Sequence, residues 1–391
     1  METIKLYYEN PRMAVFTASV LYCREEDGGF SVLLDRTAFY PEGGGQPCDT
    51  GALGNAKVLE VRDKGGEILH LCDRALNVGA QVEGCVDRVR RFDFTQQHSA
   101  DHIISGVIHS LFGLENVGFH MGADTTTIDL GGVLMPEELA GAERAANEAI
   151  WRDIPVQTLF PSPEELSALE YRSKKELSGQ VRLVKIEGVD LCACCGTHVL
   201  RTGEVGMIKI ISSVPFRGGT RFEMVAGRRA YEYMSRVAEQ NHEISALLSA
   251  KPLETAAAVR RLHGECEDMK TLRAGDEKRR FASVARTLAG AGDVLVFVSG
   301  LSADGVRRLA IAVMENCGGI AAVFSGSDET GYAFAVGQTG GDLSGLSKKM
   351  NAALSGRGGG KPESIQGRAG ASRAAAESLF AGFKIFEGDM V

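Results

Sequence analysis

The sequence predicts an α+β protein made of several domains, and three observations support this prediction. At ~150 residues per domain, a chain of 391 residues corresponds to two or three domains. Residues 1–90 contain short alternating runs and glycine turns, whereas helical periodicity begins near residue 95. A polar, alanine-rich stretch then separates this part of the chain from a second α/β-like region near the C terminus.

Residues 1–90 are predicted to form a small β-barrel. Glycine pairs separate several of the strand-like runs, and glycine readily adopts the positive φ that tight turns require. Short strands joined by glycine turns are typical of small barrels. The runs are Val15–Tyr22, Phe30–Asp35, Lys57–Val61 and Ile68–Leu71.

Residues 91–229 are predicted to mix helices and strands. We expect a helix that is capped by Thr95 and ends at Gly113, because apolar residues between them recur at helical spacing. A second helix is expected over 136–152. The expected strands cover 125–130, 181–186, 205–211 and 220–225.

The rest of the chain is predicted to contain a helical linker and a final α/β domain. Residues 230–289 are polar and alanine-rich and show no strand signal, so we expect one or two long helices with a break near Pro252. Residues 290–391 combine both periodicities. Strands are expected over 294–298, 320–324 and 332–336, and helices over 303–315 and 371–380.

Composition excludes several classes of protein. No run approaches the ~18 apolar residues of a membrane span, and the N-terminal residues lack the features of a signal peptide. Nine cysteines in 391 residues are too few for a disulfide scaffold, so we expect a reducing, cytoplasmic environment. The net charge of −8 argues against a non-specific nucleic-acid coat, although a local basic face can still bind RNA.

Two residue pairs form the strongest predicted site. His98 and His102 are four residues apart, so on a helix both imidazoles lie on one face and can reach one ion. Cys194 and His198 supply a second pair within a cysteine-dense segment. Zinc prefers nitrogen and sulfur ligands in tetrahedral geometry. We therefore predict that these four residues bind Zn²⁺.

Other residues near these pairs leave alternatives open. Cys192 and Cys195 form a C-x-x-C pair, and spacing alone does not choose among the three cysteines of this segment. His109 continues the stripe of the two helical histidines but has no partner pattern, which favours an ordinary surface histidine. Gly196 is expected to allow a tight reversal within the second pair.

A glycine-rich stretch is the second candidate site. Residues 37–47 read TAFYPEGGGQP. Such a loop can present backbone N–H groups to an anion or a carbonyl group. It lacks the Gly-Lys-Ser/Thr ending of a phosphate-binding loop, so the sequence does not support ATP binding. A purely structural hairpin is the alternative interpretation.

Several motifs in this order resemble the alanyl-tRNA editing family. They are the TAFYPEGGGQP stretch, the H-x-x-x-H pair and the Cys-x-x-x-His segment. Members of this family are freestanding relatives of the editing domain of alanyl-tRNA synthetase. Residues 356–367, GRGGGKPESIQG, are similar to the glycine-rich signature of the DHH-associated domain that ends the synthetase and the long freestanding editors. The resemblance covers nearly the whole chain.

The resemblance implies a trans-editing hydrolase that removes serine, glycine or both from mischarged tRNA(Ala). It implies a zinc-containing editing domain over 91–229 and a tRNA-binding DHH-associated domain over 290–391. Gln46 falls on a glutamine tied to editing activity, and Thr37 falls on a threonine that contacts the serine hydroxyl. The chain departs from the pattern at Cys195, where the family usually has glycine. The zinc positions of the family fall on His98, His102, Cys194 and His198.

Physical chemistry agrees with this task. A synthetase pocket rejects serine or glycine poorly, because one small group is worth only ~1–3 kcal/mol. A hydroxyl partner such as Thr37 favours serine and is left unsatisfied by alanine. Zinc can activate water or anchor the substrate, whereas a shell of four protein ligands is typical of structural sites. The sequence leaves both roles of zinc open.

Two basic clusters are predicted to contact tRNA, because local positive charge suits a phosphate backbone. The first contains Arg217 and Arg221. The second cluster contains Lys348, Lys349, Arg357, Gly358, Gly359, Gly360 and Lys361.

We also expect a homodimer formed through the C-terminal half, as an alternative to helices that pack only on their own chain.

Two rival functions stay open. The first is an editor of another mischarged aminoacyl-tRNA, such as a threonyl-type editor, which is not expected to carry this glycine–glutamine loop. The second is a non-catalytic, zinc-stabilised RNA-binding protein, which is expected to have lost Gln46 and Thr37. Both residues are present, so we expect a chain that deacylates tRNA. We expect it not to charge tRNA, because no ATP-dependent aminoacylation module is expected before the predicted barrel.

Overall fold

The α+β, multidomain class is confirmed by the computed structural model, which describes residues 2–173 and 181–389. The chain divides into two compact units, Met1–Glu243 and Ile244–Val391. The finer boundaries expected at residues 90, 229 and 289 stay predictions. Within the described ranges, no helix combines the length and apolar character needed to cross a bilayer.

Six strands in the N-terminal part of the chain pair in a circular order, so the last strand of the order hydrogen-bonds to the first. The pairing runs β2–β3–β7–β6–β5–β8 and then back to β2. The interior is apolar, with Val32, Leu34 and Phe39 completely buried. The elements are β1 (Ile4–Lys5), α1 (Leu6–Glu9), β2 (Val15–Glu26), β3 (Gly29–Leu34), β4 (Arg36–Thr37), β5 (Gly51–Leu53), β6 (Ala56–Lys64), β7 (Glu67–Cys72) and β8 (Gln81–Val86).

The next region packs helices against two antiparallel sheets of order β14–β15–β10–β9 and β11–β12–β13. Its core includes Ile103, Ile104 and Ile108 of α2, which are fully buried. The elements are α2 (Arg88–Phe112), β9 (Asn116–Met121), β10 (Thr126–Leu130), α3 (Pro136–Trp151), β11 (Val156–Leu159), α4 (Pro163–Ser167), β12 (Leu183–Ile186), β13 (Asp190–Ala193), a 3₁₀ turn (Thr202–Val205), β14 (Ile208–Phe216), β15 (Gly219–Ala226) and α5 (Gly227–Leu247).

The prediction that Thr95 caps α2 is wrong. The helix begins two turns earlier, because the Asp87 carboxylate accepts hydrogen bonds from the backbone N–H groups of Val89 and Arg90 at 3.0 and 3.1 Å. The Thr95 side chain is instead buried inside the protein. The predicted end is confirmed, since Gly113 adopts a left-handed φ of 67° at the C-cap.

The C-terminal unit contains a six-stranded sheet of order β19–β20–β18–β17–β16–β21. The predicted break near Pro252 is confirmed, because it lies between α5 and α6. The stretch RGGGK is an edge strand, β19, rather than a loop. The elements are α6 (Thr255–Thr287), β16 (Gly292–Ser299), α7 (Ala303–Cys317), β17 (Gly318–Ser327), β18 (Gly331–Gly337), α8 (Ser344–Ala353), β19 (Arg357–Lys361), β20 (Ser364–Ala369), α9 (Arg373–Leu379) and β21 (Lys384–Asp389).

Candidate metal centre

The structure brings the two predicted residue pairs together. His98 and His102 lie on one face of α2, and Cys194 and His198 lie on the segment that follows β13. One ligand atom from each of the four side chains lies within 4.8 Å of all the others. These four residues, called the Cys/His cluster below, could hold a metal ion.

The distances within the cluster fit a zinc ion. The Sγ atom of Cys194 lies 3.4 Å from Nε2 of His98 and 3.3 Å from Nε2 of His198. Metal–ligand bonds of about 2.0–2.3 Å place neighbouring donor atoms of a tetrahedron about 3.3–3.8 Å apart. A donor set of one thiolate and three imidazoles is also one that zinc favours.

Gln46 fixes the tautomer of His98. Its Oε1 atom accepts a hydrogen bond from the backbone N–H of Thr197 at 3.2 Å, and its Nε2 atom donates to the Thr197 hydroxyl at 2.9 Å. The 2.8 Å contact between Gln46 Oε1 and His98 Nδ1 therefore requires the imidazole to donate. The Nε2 lone pair of His98 is left for a metal. Gln46, which is fully buried, thus positions a predicted ligand.

Asp190 orients His102 in the same way. Its Oδ2 atom accepts from His102 Nδ1 at 2.9 Å, and its Oδ1 atom accepts from Arg172 Nε at 2.8 Å. A carboxylate that accepts from a metal-binding histidine commonly fixes the ring and raises its basicity. The sequence analysis missed Asp190 and Arg172. The only available signal was that Asp190 is four residues before Cys194, which does not distinguish it from an ordinary strand residue.

His198 has a weaker partner. Its Nδ1 atom lies 3.3 Å from the hydroxyl of Ser99, which accepts from the backbone N–H of Val199 at 3.0 Å. All three imidazoles of the cluster therefore bond through Nδ1 to protein, with an amide, a carboxylate and a hydroxyl as the three partners.

The electrostatics of Cys194 and His198 suit metal binding, whereas those of His102 oppose it. Burial alone would raise the pKa of the Cys194 thiol, but the three imidazoles outweigh burial and hold this pKa well below its usual value. Burial lowers the pKa of His198 to about 3, so this imidazole is neutral. At His102, Cys194 and Asp190 outweigh burial and raise the pKa. A metal would need a thiolate and neutral imidazoles, so its binding would have to displace the proton on His102.

The glycine triplet explains how Gln46 reaches the cluster. Gly43 and Gln46 exchange backbone hydrogen bonds of 3.1 and 3.0 Å around a two-residue turn. The central residues, Gly44 and Gly45, have φ of 60° and 81°, as a type I′ turn requires. A Cβ atom on Gly45 would lie 2.5 Å from the ring of Phe119, so this position also needs glycine for space. The stretch is therefore a hairpin whose turn places the Gln46 side chain against His98 of the cluster.

Gly196 matters for a different reason from the predicted one. The backbone φ of Gly196 is not positive, so the residue is not needed for a left-handed turn. A Cβ atom at this position would lie 2.1 Å from Cε1 of His98, so glycine is needed because the backbone passes against the imidazole ring.

Thr37 lies inside the ring of strands with its hydroxyl engaged. The side chain is fully buried, and Oγ1 lies 2.8 Å from Nε2 of His70 and 3.0 Å from the backbone N of Phe39. The other nitrogen of His70, Nδ1, bonds to the carbonyl oxygen of Val32 at 3.1 Å. These contacts belong to the ring of strands and not to the Cys/His cluster.

The remaining cysteines and His109 have separate environments. Cys192 is buried beside His102 and Asp190, and burial raises the pKa of its thiol. Cys195 is exposed and contacts Tyr8. His109 is half-exposed and pairs with Glu115 at 2.8 Å, which agrees with an ordinary surface histidine.

The first predicted basic cluster is partly neutralised. Arg217 lies at the tip of the β14–β15 hairpin, with its guanidinium 5.0 Å from the ring of Phe216. Arg221 packs 3.6 Å from the same ring, and its Nε and Nη2 atoms donate to the Asp129 carboxylate at 2.6 and 2.7 Å. Arg221 thus has a partner on the neighbouring strand.

The second predicted basic cluster is exposed. Helix α8 packs on β19, and the Asn351 amide bonds to both the N–H and the carbonyl of Gly358 at 3.0 and 2.9 Å. A Cβ atom on Gly359 would meet nothing within 4 Å. The exposed cations of these two elements are Lys348, Lys349, Arg357 and Lys361.

The chain is similar to proteins of tRNA aminoacylation and editing. Residues 181–223 match a family described as "Threonyl and Alanyl tRNA synthetase second additional domain", and residues 11–90 match "tRNA synthetases class II (A)". The alanyl-tRNA editing protein Aarsd1-A of Xenopus laevis is 34% identical over 239 residues, and its counterpart in Bos taurus is 33% identical over 265 residues. The chain is a relative of the alanyl-tRNA editing proteins.

These editing proteins are matched over only part of their length. The two matches cover 60% and 63% of this chain, and 58% and 60% of the Xenopus and Bos proteins. An alanine–tRNA ligase of Natronomonas pharaonis is 34% identical over 361 residues. That match covers 86% of this chain and 38% of the ligase.

Proposed function

We propose that the protein is a trans-editing hydrolase that deacylates tRNA(Ala) mischarged with serine or glycine. The observation that carries this proposal is the Cys/His cluster bonded to Gln46, in a chain whose relatives are named alanyl-tRNA editing proteins. The surrounding contacts support a metal centre, since each imidazole keeps one nitrogen for the cluster and uses the other in the protein.

The residues have distinct roles in this proposal. His98, His102, Cys194 and His198 would hold zinc, which when bound supplies Lewis-acid activation of water or of the ester carbonyl group. Gln46 holds the ring of His98 in place. The chain's contribution is therefore to fix the ligands in one protonation state and one orientation before the substrate arrives.

We also propose Thr37 as the residue that favours serine. The Thr37 hydroxyl is buried and bonded to His70 and to the backbone of Phe39, so the hydroxyl of a serine ester would bond to it only after the ring of strands opens and the contact with His70 is replaced. Alanine offers no such group, so it would gain nothing from displacing His70. On this basis, replacement of Thr37 by valine is expected to reduce the preference for serine over alanine.

The tRNA contacts are proposed for the two basic clusters and for a C-terminal DHH-associated domain. The exposed cations and open backbone of β19 would face the phosphates. Arg221 would first have to leave Asp129. We therefore expect Lys361→Gln to weaken tRNA binding and to lower its salt dependence by about one phosphate contact, and Arg221→Gln to do so less.

A homodimer through the C-terminal half is a separate proposal. Helix α6 exposes a row of apolar side chains at helical spacing, which a second helix would cover. A concentration-dependent mass in solution, lowered by Leu262→Glu, would support the dimer, whereas a monomer at all concentrations would oppose it. The row consists of Val259, Leu262, Met269 and Leu272.

The test is deacylation of Ser-tRNA(Ala), Gly-tRNA(Ala) and Ala-tRNA(Ala) by the wild type, by His102→Ala and by His109→Ala. His109 lies on the same helix but outside the cluster, so its variant is a matched control. We expect loss of serine or glycine with alanine spared, abolished only by His102→Ala. Binding of tRNA without hydrolysis would favour a non-catalytic RNA-binding protein, and hydrolysis of a different aminoacyl-tRNA alone would favour another editor.

A further inference from the structure

Arg182, which directly precedes β12, holds residues 194–196, called the Cys194 loop below. Arg182 is buried, with 8% of its surface exposed. Its Nη1 atom donates to the carbonyl of Cys194 at 2.7 Å and to the carbonyl of Gly196 at 3.1 Å. Its own backbone carbonyl accepts from the N–H of Cys194 at 3.1 Å. One residue therefore fixes the backbone on both sides of Cys195.

The conformation that Arg182 fixes is the one that presents the thiol to the Cys/His cluster. The N–H of Gly196 donates to Sγ of Cys194 at 3.2 Å, and the same sulfur lies 3.4 Å from Nε2 of His98. The backbone of Gly196 also passes against the ring of His98, where a Cβ atom would not fit. Because peptide groups are planar, a carbonyl that turned away from Arg182 would shift the Gly196 backbone relative to the sulfur.

Two other elements hold Arg182 in turn. Its Nη2 atom donates to the hydroxyl of Thr158 in β11 at 3.3 Å. Its guanidinium carbon lies 4.9 Å from the centre of the Tyr8 ring in α1, within the range of cation–π contacts. The hydroxyl of Tyr8 is hydrogen-bonded to the thiol of Cys195. Tyr8 therefore contacts both Arg182 and the Cys194 loop.

The bonding of Arg182 is better suited to fixing positions than to adding stability. Its hydrogen-bond acceptors among the described residues are neutral, namely two carbonyl oxygens and one hydroxyl. Its buried Nε atom has no hydrogen-bond partner in that part of the chain. A buried charge with an unused donor costs free energy, whereas a planar guanidinium donates to several acceptors in fixed directions.

We propose that Arg182 is a positioning residue for the metal centre, which holds the Cys194 sulfur where a bound metal requires it, and that Tyr8 positions Arg182. His98 and His102 lie on α2 and keep their own partners, so loss of Arg182 should affect the bond between sulfur and metal selectively. The inference rests on the metal centre of the proposed function and not on hydrolysis.

The experiment uses Co²⁺ as a spectroscopic probe, because cobalt bound to a thiolate shows a sulfur-to-metal charge-transfer absorption. The full-length chain is stripped of metal with a chelator and titrated with Co²⁺. Arg182→Met is expected to bind Co²⁺ about 10- to 100-fold more weakly, with a weaker charge-transfer absorption per bound ion. Arg182→Lys keeps the charge but not the planar fork, so the same loss of absorption is expected.

Variants of Tyr8 leave the hydrogen bonds of Arg182 in place. Tyr8→Leu removes the ring beside the guanidinium and should weaken Co²⁺ binding about 2- to 30-fold. Tyr8→Phe keeps the ring and should restore binding close to that of the wild type. Arg201→Met is the matched control, because Arg201 follows His198 by three residues but is half-exposed and pairs with Asp153. It should show the affinity and the spectrum of the wild type.

Wild-type affinity and absorption in both Arg182→Met and Tyr8→Leu would overturn the proposal. Weaker binding with an unchanged absorption per bound ion would also overturn it, because the sulfur would then still reach the metal. Tyr8→Leu decides the question if Arg182→Met does not fold. A wild type that binds no Co²⁺ would overturn the metal centre as well, whereas one that binds Co²⁺ without deacylating tRNA would overturn the hydrolase alone.

Discussion

Buried histidines occur in two regions of the first unit with opposite chemical consequences. In the ring of strands, His70 is bonded through both ring nitrogens, to Thr37 and to the carbonyl of Val32. In the Cys/His cluster, each of three histidines is bonded through Nδ1 to the protein while a second atom converges on its neighbours. Burial alone therefore does not make a ligand. A histidine becomes one when the fold leaves one nitrogen uncommitted and directs it to a shared point.

The largest effect expected from this difference is on metal binding. His198→Ala removes a ring nitrogen that points into the cluster, so stoichiometric zinc binding should be lost. His70→Gln removes a ring whose two nitrogens both bond within the ring of strands, so zinc content should be unchanged. Both variants can be measured by metal analysis after dialysis. Equal zinc content in the two proteins would contradict the conclusion that the cluster histidines, and not His70, bind the metal.

The second prediction concerns stability at low pH. Burial lowers the pKa of His70 to about 4, against 6.5 in the unfolded chain. As pH falls between these values the unfolded chain takes up the proton first, so the free energy of unfolding should fall by about 3 kcal/mol. Urea unfolding of wild type and His70→Gln at pH 7 and pH 4 checks this, because other titrating groups cancel in the difference. A constant difference between the two proteins would contradict the assignment.

The third prediction concerns the space beside His98. Gly196→Ala places a Cβ atom where the imidazole lies, so the free energy of unfolding should fall by about 1–3 kcal/mol and zinc should bind less tightly. Gly141→Ala in helix α3 is the control, since its Cβ atom would have no close neighbour. That substitution should stabilise the protein by about 0.5–1 kcal/mol. The same sign for both substitutions would show that the close approach is unimportant.

The fourth prediction concerns Asp190 and the affinity of the cluster for zinc. Asp190→Asn keeps the shape of the side chain but no longer requires His102 to donate through Nδ1. Zinc affinity, measured by competition with a chromophoric chelator, should fall about 10- to 100-fold. Asp153→Asn, which alters an exposed carboxylate paired with Arg201, serves as the control. Equal affinities in the two variants would mean that His102 is oriented by packing alone.

The sequence predicted the residues of the cluster but not the side chains that hydrogen-bond to them from other elements. The i, i+4 spacing of His98 and His102 has a direct helical consequence, and Cys194 and His198 lie close in sequence. Asp190 and Arg172 could not be found, because their role depends on strand pairing and on a contact across 88 residues to His102. Such a partner has no local periodicity.

Short-range sequence patterns also explain which elements of the fold were predicted correctly. Strands with strong alternation, such as Lys57–Val61, and the break near Pro252 were predicted from short-range patterns. The predicted start of α2 was wrong because Thr95 and Asp87 are both acceptable N-cap residues. Which of the two caps the helix depends on tertiary contacts. Thr95 instead bonds to the hydroxyl of Thr197 at 2.9 Å, a partner 102 residues away.

The bond between Gln46 and Thr197 joins residues 151 positions apart, and this separation has a consequence for the order of events during synthesis. Translation proceeds at about 5–20 residues per second, so the 92 residues that follow His102 up to and including Cys194 take roughly 5–20 s to make. Throughout that interval the nascent chain displays two of the four ligands. On the proposed zinc binding, tight capture of the ion would therefore wait until the second pair has emerged and folded, which would make metal loading a late step in the synthesis of each chain.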